Sequence, residues 1–301
     1  MALTVNTNIS SLIAQRSLNN ATNSMNLSLE RMSTGYKINH SKDSAAGYAI
    51  AEQWETQLRS LDVASDNAAM GLDMLTTAEG TYGLLVDHIQ RVRDLTEQAA
   101  NGTYGSSSLE AINKEIKARF LEIDRIAKNA EFNGIKLMDD NNTNPVILQV
   151  GIKSDANSQI SLAADLFKGA DLAAIKTMAG FDGDDAEEFA NECSGFTAGT
   201  GGAANTISHA TPIAALAKLD KVINAISSRA TDLGAAQNRV ESAISAIDVQ
   251  SQNLTSSLST LRDTDIASES SNYIQQQILQ QASATLLATA NQLPSIALNL
   301  I

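Results

Sequence analysis

Between Leu216 and Leu261 apolar residues recur in steps of three and four. The stepped positions are Leu216, Leu219, Ile223, Ile226, Ala230, Leu233, Val240, Ile244, Ile247, Leu254, Leu258 and Leu261, with only Gln237 and Ser251 polar among them. A period of 3.5 residues held this long is a helix seam that needs a partner helix. At 1.5 Å per residue the helix is roughly 70 Å long, which predicts a rod. A second tract steps through Trp54, Leu58, Leu61, Leu72, Leu75, Tyr82, Ile89 and Val92 to about Ala100. Its Gly71, Gly80 and Gly83 each cost about 1 kcal/mol of helix propensity, and close helix contact is the expected compensation. A third helix is predicted from about Ser107 to Lys128.

Both ends of the chain read as amphipathic helices. The first covers 1–34 and carries Ile9, Leu12, Ile13, Leu18, Met25, Leu29 and Met32, with Gly35 as its stop. Tyr36–Asp43 is polar and reads as irregular, and Asp43 or Ser44 can cap the next helix. Arg262–Asp265 interrupts the long seam. A last helix follows with Ile274, Ile278, Leu286, Leu293, Ile296 and Leu300, and Pro294 predicts a kink or break in it. In the middle of the chain the period changes to two: Val146, Leu148, Val150 and Ile152, then Gln159–Leu162, which predicts a β-hairpin. Residues 177–211 are rich in Gly, Thr and acid and read as an exposed insert. The predicted fold is mainly α: a long antiparallel helical bundle or coiled-coil rod formed by both chain ends. A small β-hairpin region and a short variable insert lie at its tip. Neither end helix can bury its apolar stripe alone, so both are expected to be ordered by assembly.

Composition narrows the function. Aromatic residues make up 4% of the 301, too few to fill a thick core, whereas small residues suit helices packed side by side. The net charge of −13 argues against binding nucleic acid through its phosphates. No apolar run reaches the length of a membrane span, and the N-terminus lacks a basic region followed by an apolar core. His40, His88 and His209 have no metal-ligand spacing. Asp182, Asp184, Asp185, Glu187 and Glu188 lack the glycine and distal glutamate of a calcium loop. Cys193 has no activating neighbour in sequence. No nucleotide loop or nucleophile elbow occurs, so no catalytic, cofactor or metal residue is assigned. Gln90–Leu95 sets Arg91, Arg93 and Asp94 beside apolar neighbours, and reads as a solvated face or a docking ridge.

Several stretches together resemble bacterial flagellin. They are VNTNISSLIAQRSL (5–18), LERMSTGYKINHSKDSAAGYAIAE (29–52), QRVRDLTEQAANGT (90–103), EIDRIAKNAEFNGIKLMD (122–139) and IQQQILQQASATLLATANQLP (274–294). Their order is that of the family, and the likeness covers roughly the first 175 and last 90 residues. Tyr36 and Tyr48 stand where leucine is usual in it, Lys37 where arginine is, Ser44 where aspartate is and Asp94 where glutamate is.

The resemblance implies a subunit that stacks into a helical filament around a channel and serves motility. It implies an inner-core N-terminal helix over 1–44, an outer core over 45–176, a variable surface insert over 177–212, an outer-core long helix over 213–262 and an inner-core C-terminal helix over 263–301. Inner-core packing would fall to Ile9, Leu12, Ile13, Leu18, Met25, Leu29, Met32, Ile274, Ile278, Leu286, Leu293 and Leu300. The outer-core seam would be Trp54, Leu58, Leu61, Leu72, Leu75, Leu219, Ile223, Ile226, Val240, Ile244, Ile247, Leu254 and Leu258. The implied partners are further copies of the chain, hook-associated junction and cap proteins, an export chaperone at the C-terminal helix and the flagellar type III export apparatus. A Toll-like receptor of an animal host would read Gln90, Arg91, Arg93, Asp94, Leu95 and Glu115. The implied address is extracellular, in the flagellum, reached without a cleaved signal peptide.

Two rival readings remain: a hook–filament junction protein, which shares similar ends, and a coiled-coil adhesin that does not polymerise. A third, a flagellin carrying an enzyme in its insert, conflicts with so short an insert and with the absence of H-E-x-x-H.

Overall fold

The computed structural model describes residues 7–138, 145–181, 185–197 and 206–298, with side chains described to 292. Helices α1 (Ile9–Thr34), α2 (Ala45–Ala100) and α3 (Ser106–Asn129) come first. Three antiparallel two-stranded ribbons follow: β1 (Glu131–Phe132) with β2 (Ile135–Lys136), β3 (Val146–Gln149) with β4 (Gln159–Leu162), and β5 (Phe196–Thr197) with β6 (Thr206–Ile207). Helices α4 (Leu172–Ala179) and α5 (Ala186–Ser194) precede β5. Helices α6 (Ala210–Arg262) and α7 (Ile266–Leu298) complete the chain. The chain divides into two compact units: residues 1–59 with 250–301, and residues 60–249.

The second unit holds the main core. Leu75, Tyr82, Leu85, Ile89 and Val92 of α2 are buried together with Ile116, Phe120 and Ile123 of α3 and Leu219, Val222, Ile226, Leu233 and Val240 of α6. Such side chains contribute about 1.5–3 kcal/mol each when fully buried. The long helices run antiparallel here: Arg93 Nε meets Asp220 at 2.7 Å, and Gln237 Nε2 donates to Glu79 at 2.8 Å. Val146 pairs with Leu162 and Gln149 with Gln159, giving the hairpin expected from the period-two pattern.

Residues 177–211, expected as an exposed insert, instead supply part of this core. Asp185 caps α5 by accepting the Glu187 and Glu188 amides, both at 2.9 Å, and Gly195 closes it in the left-handed region at φ +64. Phe181 and Phe189 meet Phe120 edge-on, at centroid distances of 6.2 and 5.5 Å. Lys117 pairs with Glu187 at 2.6 Å, and Lys218 pairs with Glu192. The acidic stretch misled because its charges face water while every third or fourth residue behind them is apolar. Asp182, Asp184 and residues 198–205 lie outside the described residues.

The glycines of α2 also differ from expectation. Gly71 is close-packed, but against a strand: a Cβ there would stand 2.3 Å from a Leu148 methyl. Gly80 and Gly83 face open space. Cys193 is fully buried, and that burial pushes its thiol up to about 12.

Two outcomes are expected. Gly80→Ala and Gly83→Ala raise stability in urea unfolding by about 0.5–1 kcal/mol each, whereas Gly71→Ala lowers it by about 1–3 kcal/mol because Leu148 must leave its notch. Cys193 resists a thiol reagent at pH 8 in the folded chain and reacts at once in denaturant.

Candidate functional site

In the first unit α1 and α7 lie antiparallel, and the residues between them are small or polar. On α1 the seam is Ala14, Ala21 and Ser28, all buried, with Leu18, Met25 and Met32 half-buried beside them. On α7 it is Glu269, Ser283 and Ala290, all buried, with Tyr273, Gln276, Gln280 and Leu287 half-buried. Small seam residues let helix axes approach closely. Polar ties cross the seam: Gln280 Nε2 donates to Thr22 Oγ1 at 3.1 Å, and Ser11 Oγ donates to Asn291 Oδ1 at 2.7 Å.

Asn8 fastens the far end of this pair. Its Oδ1 accepts the Ser11 amide at 3.0 Å as the N-cap of α1, while its Nδ2 donates to the Ala290 carbonyl at 2.7 Å. That carbonyl is the one a residue at 294 would ordinarily bond, and Pro294 has no N–H. The expected break at Pro294 is absent, and α7 continues to Leu298, because the chain just before α1 supplies the donor that proline lacks. At the near end Gly35 stops α1 at φ +77, with its N–H returned to Arg31 at 2.8 Å.

Because the seam uses small residues, the large ones point elsewhere. Ile9, Leu12, Ile13 and Leu29 on α1 remain 63, 55, 58 and 52% exposed, and Ile274, Ile278 and Leu286 on α7 remain 53, 60 and 61% exposed. An open groove of about 800 Å³ between the helices is lined by Ile13, Ala14, Leu279, Ser283, Leu286 and Ala290. Covering the remaining exposed half of one such side chain is worth roughly 1 kcal/mol. Leu293 and Leu300 fall outside the described side chains.

The long-helix seam residues are distributed differently. Leu61, Leu75, Leu219, Ile226, Val240 and Ile247 are buried; Trp54, Leu58, Leu72, Ile223, Ile244, Leu254 and Leu258 are half-buried. Ala64, Ala78, Thr96, Ala99 and Ala236 are buried as well, positions that apolar stepping passed over because alanine and threonine carry a weak signal. Leu85 lies three residues from Tyr82 and four from Ile89, a spacing that marks it as seam.

The Gln90–Leu95 ridge divides. Gln90, Arg91 and Asp94 are exposed, but Leu95 is only 2% exposed and belongs to the core. Arg91 Nε and Nη2 both reach Glu115 Oε1, at 3.1 and 2.9 Å. Arg93 is tied to Asp220, which raises its already high pKa, and to Glu97 at 3.6 Å. At these exposures solvent screens each pair, so the ridge is a charged surface fixed in shape rather than a source of stability. Among the described residues no three potential metal ligands gather, and no helix is long and apolar enough to cross a membrane.

Comparison with known proteins converges on the two ends. The model of the bacterial flagellin N-terminal helical region matches residues 5–143, and that of the C-terminal helical region matches 216–301. Polar flagellin F of Vibrio parahaemolyticus is 32% identical and flagellin B of Vibrio cholerae 35% identical, each over the whole of both chains. In fold alone, the chain resembles a candidate flagellar hook-associated protein from Vibrio parahaemolyticus. The TM-score is 0.57 at 12% identity, over 73% of this chain and all of that one. A chain whose end helices leave their aliphatic side chains bare, and whose ends meet both family models, belongs to the bacterial flagellin family: it is a structural subunit of the extracellular flagellar filament and not an enzyme.

Proposed function

We propose that the chain polymerises by burying the bare stripes of α1 and α7 against the same helices of neighbouring copies. The observation that carries this reading is the exposure of Ile9, Leu12, Ile13, Ile274, Ile278 and Leu286 beside a seam of alanine and serine. A soluble chain has little reason to align so many large aliphatic side chains on water. In the filament Leu18, Met25, Leu29, Met32, Leu293 and Leu300 join the same packing, and Trp54 through Leu258 hold the long helices together.

Before assembly the stripe of α7 is the natural surface for an export chaperone. Its apolar residues need cover until the chain leaves through the flagellar type III export apparatus. At the ends of the filament, hook-associated junction and cap proteins with similar helices take the place of a neighbouring copy. The fold likeness to a candidate hook-associated protein favours that exchange. It also supports the second reading, a junction protein rather than the bulk subunit. Identity with flagellins along the whole chain favours the bulk subunit. Self-assembly decides: the purified chain grows long filaments on seeds, and a junction protein does not.

On the outer surface, Gln90, Arg91, Arg93, Asp94 and Glu115 form the charged ridge that a Toll-like receptor reads. Leu95 supports the ridge from the core.

Leu286→Asp is expected to abolish filament growth in seeded assembly while the thermal transition of residues 60–249 stays within about 2 °C of the parent. Normal growth of that variant contradicts the packing assigned to α7. In a receptor reporter assay, Arg91→Ala monomer loses at least tenfold in potency; equal potency removes the ridge from receptor contact.

A further inference from the structure

An asparagine followed by glycine can react with its own backbone, and the chain contains two such pairs, Asn101-Gly102 and Asn133-Gly134. The nucleophile is the glycine amide nitrogen, which no side chain shields. The structure holds the two pairs in different ways.

Asn133-Gly134 forms the turn between β1 and β2, with φ +48 and +79. That is the left-handed pair of a type I′ hairpin, and Phe132 pairs with Ile135 across it. In the left-handed region the next nitrogen lies on the far side of the backbone from Cβ, so Gly134 N is turned away from the Asn133 amide. The Leu137 amide, bonded to the Ala130 carbonyl at 3.0 Å, keeps the ribbon closed.

Asn101-Gly102 lies in the exposed turn between α2 and α3, and neither residue is left-handed. Asn101 Oδ1 accepts the Thr103 amide at 3.2 Å. This Asx turn folds the side chain across the Gly102 peptide and draws electrons away from Cγ. The Gly102 N–H makes no hydrogen bond among the described residues, and the space that a Cβ on Gly102 would fill is open. Nucleophile, polarised carbonyl and room for a ring meet at one turn.

We propose that Asn101 is a self-modifying site, converted in water to aspartate and isoaspartate, and that the change loosens the end of the α2–α3 pair. Hydroxide takes the Gly102 amide proton, and the nitrogen forms a bond to Asn101 Cγ. The Cγ–Nδ2 bond breaks, and Nδ2 leaves as ammonia with a proton from water. A further water opens the cyclic imide. Attack at Cγ leaves aspartate; attack at the main-chain carbonyl leaves isoaspartate, with Cβ and Cγ carrying the backbone. Either product sets a carboxylate just beyond the C-terminus of α2, the negative end of the helix dipole, and α2 has no basic residue in its last turn. Isoaspartate also lengthens the turn that joins Ala99 to Leu109, which are buried together with Phe196 of β5. The turn thereby records the age of an extracellular subunit.

The test holds the full chain at mildly alkaline pH, folded and in urea. Both Asn-Gly peptides are followed by mass and by enzymatic methylation of isoaspartate. Asn101 is expected to convert in the folded chain within about threefold of its rate in urea, because an exposed turn needs no unfolding to react. Asn133 is expected to convert at least tenfold more slowly folded than in urea. Gly102→Ala slows Asn101 at least fivefold, with the melting of residues 60–249 unchanged. In purified isoaspartate chains the Leu109 amide, which donates to the Gly105 carbonyl at 3.1 Å, exchanges at least tenfold faster than in the parent. Asn101→Asp carries the charge without the longer backbone and falls between. Protection of Asn101 by folding equal to that of Asn133, or no effect of Gly102→Ala, overturns the site. Leu109 exchange equal to the parent's overturns the loosening.

Discussion

Two helices that meet through alanine and serine come close together, and the same choice forces their leucines and isoleucines outward. The α1–α7 pair is built on this trade. Ala14, Ala21 and Ser28 face Ser283 and Ala290, and the polar ties from Asn8, Ser11 and Gln280 cross the same seam. Among the described residues of the first unit, nothing covers Ile9, Leu12, Ile278 or Leu286. The pair is complete as a pair and incomplete as a surface, and we propose that incompleteness as the driving force of assembly. Hydrophobic cover costs nothing in specificity until a matching copy arrives, and then each covered side chain adds its increment.

The second unit follows the opposite rule. Its core is filled by large residues such as Tyr82, Phe120 and Phe189, although Val63, Met70, Leu84 and Leu121 stay exposed; α3 is closed over by α5 with Phe189 and Cys193 beneath, and a pair such as Lys117–Glu187 is a surface tie of small energy. It has its own reason to fold, so damage to the end helices need not spread into it. The same independence lets its outer surface differ from the ends in purpose: Arg91 and Glu115 hold each other in place and present a rigid charged ridge.

Long periodic stretches were legible in the sequence because their period is carried by leucine, isoleucine and valine. The ends of α1, α2 and α6 fall close to the positions that Gly35, Ser44, Asn101-Gly102 and Arg262–Asp265 signal. What the sequence hid had three causes. Small residues on a seam resemble a surface, so Ala14, Ser28, Ser283 and Ala290 give little sign of the contact between α1 and α7. Charged residues on an amphipathic helix resemble a loop, so the sequence of α5 reads as exposed insert. Compensation between distant residues leaves no periodic trace. Pro294 is tolerated because of Asn8, at the opposite end of the chain, and Tyr36 is ordered by Arg262. The family resemblance supplied the function, and the geometry supplies the reason those ends need it.

Assembly by this route requires the stripe of α7 to be open in the single chain and closed in the filament. Leu286→Cys measures this directly, because the native Cys193 is buried and expected to be silent to thiol reagents. Labelling of the introduced thiol is expected within seconds in dissociated chains and at least a hundredfold more slowly after polymerisation, with the label itself blocking growth. Equal labelling in chains and filaments, or labelled chains that polymerise normally, contradicts it.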